Sequence, residues 1–404
     1  MTSRLWLIAP AVPCLAQIAL SQRDAVARAM EQHPLLAVSA QRSEVAAAQR
    51  VQAGIVPNPK LILQSENTRP YGNPSFVFLR DTDNFAYLQN TFETAGKRGR
   101  RVETAEAAQR RTEAETALVR QQIRGRVAAA YWTAAGAARV LQLLREDGAT
   151  MRAIVGYHEV RVREGAMAEA DLIRVRLEAQ RLAVATNQSR LDLDRARIQL
   201  LREMGSLEYP EATFTDPVDR ETPVPAAVAE DAFKQREELR VARLAIDQAE
   251  ANQRLQAANA RPNVDVVFGY KRTGGLDTML GGVQVDLPFS NRNQGGIMNA
   301  SAELRLAKLN LAAAEALIRA ELAAAESDYR IRRNEITTAL APAVEQAAET
   351  YRIADAAYRA GGSDLLRLLD AQRLRTETQI AFARGQAELR QSEAALRAAM
   401  GMEP

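Results

Sequence analysis

Two periodicities divide this chain. Long stretches in which apolar residues recur every three or four positions predict helices, and a few short stretches in which they recur every second position predict strands. The helical period holds over 21 to 54 and 226 to 260, free of internal Gly or Pro except Pro34, where a helix starts or kinks. Both stretches stop at a Pro-Asn pair, Pro57-Asn58 and Pro262-Asn263. The strand period follows each stop. Val264, Val266, Phe268 and Tyr270 alternate with Asp265, Val267, Gly269 and Lys271, and Val283, Val285 and Leu287 alternate with Gln284 and Asp286. In the first half, Lys60 to Asn67 and Asn84 to Phe92 take the equivalent places with weaker alternation, and Phe85, Tyr87 and Phe92 are candidates for an aromatic membrane girdle. Gly274-Gly275 predicts a tight turn and Arg69 to Asp83 a longer loop.

Beyond each hairpin the helical period resumes over 97 to 162 and 295 to 360, about 100 Å each at 1.5 Å per residue. Gly136, Gly148, Gly156 and Pro342 are expected to bend these helices or mark a taper. The chain turns at Gly165 and at Gly361-Gly362 and returns over 168 to 204 and 364 to 400, each return ending at Met-Gly. The punctuation repeats at a constant offset of 196 (295 minus 99): Gly99 with Gly295, Gly165 with Gly361, Leu172 with Leu368, and Met204-Gly205 with Met400-Gly401. The expected organisation is therefore a signal peptide over 1–16, a first repeat over 17–205 with its hairpin at 59–93, a Pro-rich linker over 206–225, and a second repeat over 226–404 with its hairpin at 263–288.

No stretch after residue 20 reaches the roughly 18 apolar residues of a membrane helix, so any spanning is by strands. Each strand has about the ten residues that a tilted transmembrane strand needs. Four strands cannot close a barrel, and an open sheet edge in lipid leaves peptide groups unpaired. Several chains must then share one barrel, and three copies give twelve strands. The alternative, less favoured by the periodicity, is two soluble hairpins capping a coiled coil.

Composition excludes more than it selects. Charge is 25% of residues but balanced at +3, with acids interspersed among the basic residues, which argues against nucleic-acid binding. Arg4 followed by Leu5 to Ala16, broken by Pro10 and Pro13, has the form of a secretory signal cut after Ala16; removal takes the single cysteine, Cys14, with it. Only His33 and His158 are present, far apart on separate helices, and each is read as structural or surface. No phosphate-binding loop occurs, and the carboxylates lie three or four residues from Arg along helix faces. No catalytic residue, cofactor site or metal site is expected.

Taken together, a signal segment, two copies of helix, hairpin, long helix, Gly turn and returning helix, and a Pro-rich middle linker resemble the TolC-type outer-membrane efflux proteins over essentially the whole mature chain. Ala29-Met30-Glu31-Gln32-His33-Pro34 is similar to the family's opening A-L-x-x-N-P with His for Asn, and Gly361 to Gln372 to its tip segment G-x-x-x-x-x-D-x-L-D-A-Q. Glu93 to Arg98 and Leu287 to Gly295 are similar to the CzcC-type subgroup serving heavy-metal pumps. The resemblance implies a mostly α fold with a small β part, an α-helical barrel joined to a shared 12-stranded β-barrel, and a homotrimer in the outer membrane of a Gram-negative bacterium. It implies passive conduction without enzyme activity, and as partners a periplasmic adaptor (membrane fusion protein), an inner-membrane RND-type pump and outer-membrane lipid. It places the periplasmic tip at Gly165 and Gly361. Where the family carries two acids six and nine residues after the tip glycine, this chain has Arg367 and Asp370, and the first repeat has Asp171 and Arg174. These four charges are expected to form an intersubunit network that holds the tip closed; ordinary solvated helix charges are the alternative. The competing class is a soluble periplasmic coiled-coil or adaptor protein, against which stand the duplicated hairpin and the scarcity of strands.

Overall fold

The computed structural model describes residues 18–68, 75–220 and 236–402. The expected signal peptide, residues 69–74 of the expected loop, the end of the linker and the start of the helix expected from 226 lie outside the described residues. Contacts divide the chain into two compact units, one of Met1–Ala37, Val119–Arg236 and Leu317–Pro404, the other of Val38–Leu118 and Glu237–Ala316.

The described elements, in chain order, are β1 (Ile18–Leu20), α1 (Gln22–Gln32), α2 (Pro34–Ala53), β2 (Lys60–Glu66), α3 (Phe78–Asp81), β3 (Asp83–Phe92), α4 (Lys97–Arg163) and α5 (Glu169–Glu203). After them come β4 (Ala212–Phe214), α6 (Glu237–Asn259), β5 (Val264–Thr273), β6 (Leu276–Val285) and α7 (Gln294–Glu335). A π-helical turn, Ile336–Leu340, then leads into α8 (Ala341–Arg359), and α9 (Leu365–Ala399) follows.

The second unit contains the four-stranded sheet, ordered β2-β3-β5-β6 and antiparallel throughout. Side chains alternate across it, and the register assigns them to two faces. Leu61, Leu88, Phe268 and Gly281 fall on one face with Leu63, Ala86, Tyr270 and Met279; Lys60, Gln89, Val267 and Gly282 fall on the other. Gly274 and Gly275 take φ of 57° and 78°, the left-handed conformation that a two-residue hairpin turn requires. Where strands meet helices, the two hairpins are tied together. The Thr94 hydroxyl donates to the Pro262 carbonyl, Lys97 Nζ donates to Asn263 Oδ1 at 2.5 Å, and Arg98 Nε donates to the Gly54 carbonyl at 2.6 Å. Arg101 forks onto the Glu93 carboxylate, and this hydrogen bond lowers the Glu93 pKa below its ordinary value. The helices here bury mainly alanine (Ala46, Ala107, Ala114, Ala249, Ala251, Ala258, Ala300), so backbones approach closely and little volume is enclosed.

The first unit has a different core. Leu20, Ala25, Ala29, Ile123, Val127, Tyr131, Leu200 and Met204 pack around a short parallel ladder, β1 on β4. The Tyr131 ring is fully buried, and its hydroxyl donates to the Leu20 carbonyl at 3.1 Å and accepts from the Asp216 amide at 3.2 Å. That satisfies a group whose unpaired burial would cost about 1–3 kcal/mol. The ladder was not expected: the stretch read as a Pro-rich, non-helical linker over 206–225 contributes a strand. Ser21 caps α1 through a reciprocal capping box with Asp24.

α4 runs unbroken for 67 residues through Gly136, Gly148 and Gly156. Gly136 instead lets α9 approach, because a Cβ there would collide with that of Ala387. Pro342 does mark an irregularity, the π turn directly before it. Leu340, in that turn, lies where a Cβ at Gly385 would come within 2.8 Å.

Candidate functional site

Two regions carry the residues singled out from sequence. The first is the pair of turns joining α4 to α5 and α8 to α9. Gly165 and Gly361 have φ of 72° and 76° and close the same C-terminal motif: the Gly165 and Ala166 amides donate to Val162 and Arg161, and the Gly361 and Gly362 amides to Tyr358 and Ala357. Each glycine escapes the Cβ penalty of the left-handed region. The next helices start differently. Asp364 caps α9 by accepting from the Arg367 amide at 3.0 Å, whereas Ala168 at the start of α5 offers no side-chain cap.

Of the four charges expected at a tip, the chain brings two together. Asp171 and Arg174 pair at 3.7 Å along one helix face, an exposed contact of the class worth a few tenths of a kcal/mol. Arg367 and Asp370 are exposed, and among the described residues neither is ion-paired within the chain.

Two buried polar contacts near these turns were not anticipated. His158, read from sequence as structural or surface, is 1% exposed, with Nδ1 2.8 Å from the Ile154 carbonyl, Nε2 2.8 Å from the Tyr358 hydroxyl and its ring stacked on that tyrosine. The carbonyl can only accept, so Nδ1 donates to it. Burial, ahead of the charges of Tyr157 and Asp171, raises the Tyr358 pKa. Further along, Asp147 is 4% exposed and accepts from Arg375 Nη2 at 2.8 Å, from Gln372 and from the Thr376 hydroxyl. The Arg375 guanidinium also lies 4.2 Å from the Tyr351 ring centroid. Gln372 closes the motif already quoted, but its partner lies 225 residues away in sequence.

The second region is the four-stranded sheet. Its apolar face exposes Leu61, Leu63, Leu88, Phe268, Met279 and Val283. Its other face is polar, with Lys60, Gln64, Glu66, Asp83, Gln89, Asp265 and Lys271. The girdle expected from Phe85, Tyr87 and Phe92 is corrected by the register: Phe92 shares the apolar face, but Phe85 and Tyr87 pair with Lys271 and Gly269 on the polar one. Weak alternation in β3 hid this, since β3 has aromatic residues on both faces. Among the described residues no helix is long and apolar enough to cross a membrane, and no three His, Cys, Asp or Glu side chains stand close enough to hold a metal ion.

Residues 25–206 and 228–402 match the family model described as outer membrane efflux protein. Over 336 residues the chain is 23% identical to the cobalt-zinc-cadmium resistance protein CzcC of Cupriavidus metallidurans, covering 82% of this chain and 78% of that protein. Among solved structures it is similar to CusC, with a TM-score of 0.78 at 18% identity over 94% of this chain and 92% of that one. It is similar also to the CmeC outer membrane channel of Campylobacter jejuni, with a TM-score of 0.79 at 16% identity over 94% and 85%. The open-state MtrE outer membrane channel of Neisseria gonorrhoeae gives 0.78 at 18% identity over 95% and 89%. At such identities these likenesses establish the fold.

Proposed function

The chain belongs to the outer membrane efflux protein family, and on that premise we propose that it is the outer-membrane channel of a tripartite efflux pump, a homotrimer that conducts solutes passively to the exterior. The observation that carries this reading is the sheet. Strands β2 and β6 each present an unpaired edge, and the face between them is apolar and exposed. Such edges are untenable in lipid unless they pair, and pairing β6 of one copy with β2 of the next continues the antiparallel order until three copies close twelve strands. The polar face then lines the lumen.

The partners follow from the family: a periplasmic adaptor and an inner-membrane RND-type pump, which supplies the energy. Likeness to a cobalt-zinc-cadmium resistance protein supports heavy-metal cations as cargo, with other small toxic compounds the broader class. The turns at Gly165 and Gly361 form the periplasmic tip, and Asp171, Arg174, Arg367 and Asp370 meet across copies to hold it closed. Like charges brought together by threefold symmetry repel in a confined space, and the arginines offset that repulsion.

The protein extracted in outer-membrane detergent is expected to run as a heat-sensitive trimer and to form discrete channels in planar bilayers. Arg367→Ala and Asp370→Ala are expected to raise the open fraction severalfold. A monomer without conductance sinks the channel reading; unchanged closure in both variants sinks the role of the tip charges.

A further inference from the structure

The polar face of the sheet is banded. Glu66 stands opposite Asp83 at the turn end; one step inward come Gln64, Phe85, Lys271 and Thr278; the next step holds Ile62, Tyr87, Gly269 and Leu280. The middle band contains a cation and no acid. Lys271 Nζ lies 5.3 Å from the Phe85 ring centroid, within the range of attraction between an ammonium and an aromatic face. Among the described residues Lys271 has no carboxylate partner within the chain.

The acids of this face are hydrogen-bonded by neutral donors and keep their charge, but they stand outside the Lys271 band. Asp265 accepts from Gln89 at 2.9 Å and from Thr91 at 2.5 Å; Asp83 accepts from Asn67 at 2.5 Å and from the Gly274 amide at 2.9 Å; Glu66 accepts from Gln64 at 2.8 Å. The acid band also ends the sheet, where bulk water screens it. The lysine band is bounded inward by the apolar one, where Tyr87 lies against β5 so closely that a Cβ at Gly269 would collide with it.

We propose that Lys271, positioned by Phe85, is a specificity-determining residue of the strand-lined outlet, a basic collar that disfavours free small cations relative to anions and to neutral or anionic complexes. The inference rests on the channel reading above and requires that any metal cargo pass this outlet as a neutral or anionic complex. A twelve-stranded barrel has a backbone radius of about 12 Å, and an extended lysine reaches about 6 Å inward, leaving each ammonium roughly 6 Å from the axis. That is inside the Debye length of about 8 Å at physiological ionic strength, so the three fields overlap on any solute that passes.

The test is the reversal potential of the reconstituted trimer in planar bilayers under a tenfold KCl gradient at low ionic strength. Lys271→Glu exchanges six charges per trimer, and the chloride-to-potassium permeability ratio is expected to fall by about threefold or more, with Lys271→Gln between it and the parent. A ratio unchanged in Lys271→Glu overturns the proposal. Should that variant fail to assemble, Lys271→Gln decides, together with Lys271→Cys in a Cys14→Ser background. A cationic thiol reagent is expected to restore the parental ratio there, and failure to react in the folded trimer overturns the proposal equally. A parent protein that forms no channel refutes the channel reading itself, and this inference falls with it.

Discussion

His33 ends α1 and begins α2. Its Nδ1 accepts the Leu35 amide at 3.1 Å, which makes it the N-cap of a helix whose first residue is Pro34, the position where a missing amide costs nothing. Asparagine is among the best residues for this task, which gives the family's N-P dipeptide a physical reading and shows His33 standing in for an amide oxygen. Burial, followed by the charge of Arg126, lowers the imidazole pKa, and Glu203 opposes them weakly. With the folded pKa below the unfolded one near 6.5, the contribution is complete above that value and is lost as pH falls through it towards the folded pKa. Protonation at Nδ1 also removes the cap. Thermal stability is therefore expected to hold from pH 8 to 7 and decline towards pH 5, and His33→Asn should flatten that decline while preserving the cap. His33→Ala should cost about 1 kcal/mol at pH 7. Identical pH slopes for His33→Asn and the parent, by thermal denaturation, would refute the assignment. The helix break at His33-Pro34 was legible in the sequence because it is local. The lowered pKa was not, because Arg126 and Glu203 come from distant helices.

The same divide between local and distant holds for whole elements. Strands β2, β3 and β5 were legible to within a few residues, whereas β6 begins at Leu276, seven residues before the alternation read from Val283, and the helices were legible wherever the period persists for several turns. The β1–β4 ladder was not: each strand has three residues, below any usable window, and they pair across nearly half the chain. The role of Gly136 was hidden for a related reason, since a helical glycine reads as a weak point until the opposing Ala387 is known. Helix α5 shows a pattern that the sequence displays but that only burial interprets. Leu172, Val175, Ala196 and Leu200 are buried within the first unit, yet Leu177, Val184, Leu191 and Ile198, spaced by seven, are all exposed. Apolar positions repeated every seven residues supply one line of a coiled-coil seam, and among the described residues no other element covers this one. Val184→Asp with Leu191→Asp is expected to leave the helical circular dichroism intact and the stability of one chain within about 0.5 kcal/mol, as for other surface changes, while converting trimer to monomer. Light scattering that still reports a trimer would show that the stripe does not join copies.

For the whole molecule the decisive question is whether the sheet closes between copies, and its geometry makes the test unambiguous. Strands β2 and β6 lie at opposite edges, three strand spacings apart, which is about 14 Å. A disulfide needs its two Cα atoms within about 7 Å, so cysteines on β2 and β6 cannot bridge inside a single sheet. Any bridge between them must join two copies. Gln64 and Thr278 stand in one row of the polar face and are a suitable first pair, with Ile62 or Glu66 replacing Gln64 to sample the neighbouring registers. In a Cys14→Ser background, one of these pairs is expected to give covalent dimers and trimers under mild oxidation in the membrane, resolved by denaturing electrophoresis and collapsed by reductant. Each cysteine alone should give only monomer, because in a ring each β2 edge meets a β6 edge and never its own kind. Monomers from all three pairs would mean that the edges are satisfied in some other way, and the shared barrel would have to be abandoned even if the protein proved trimeric through its helices.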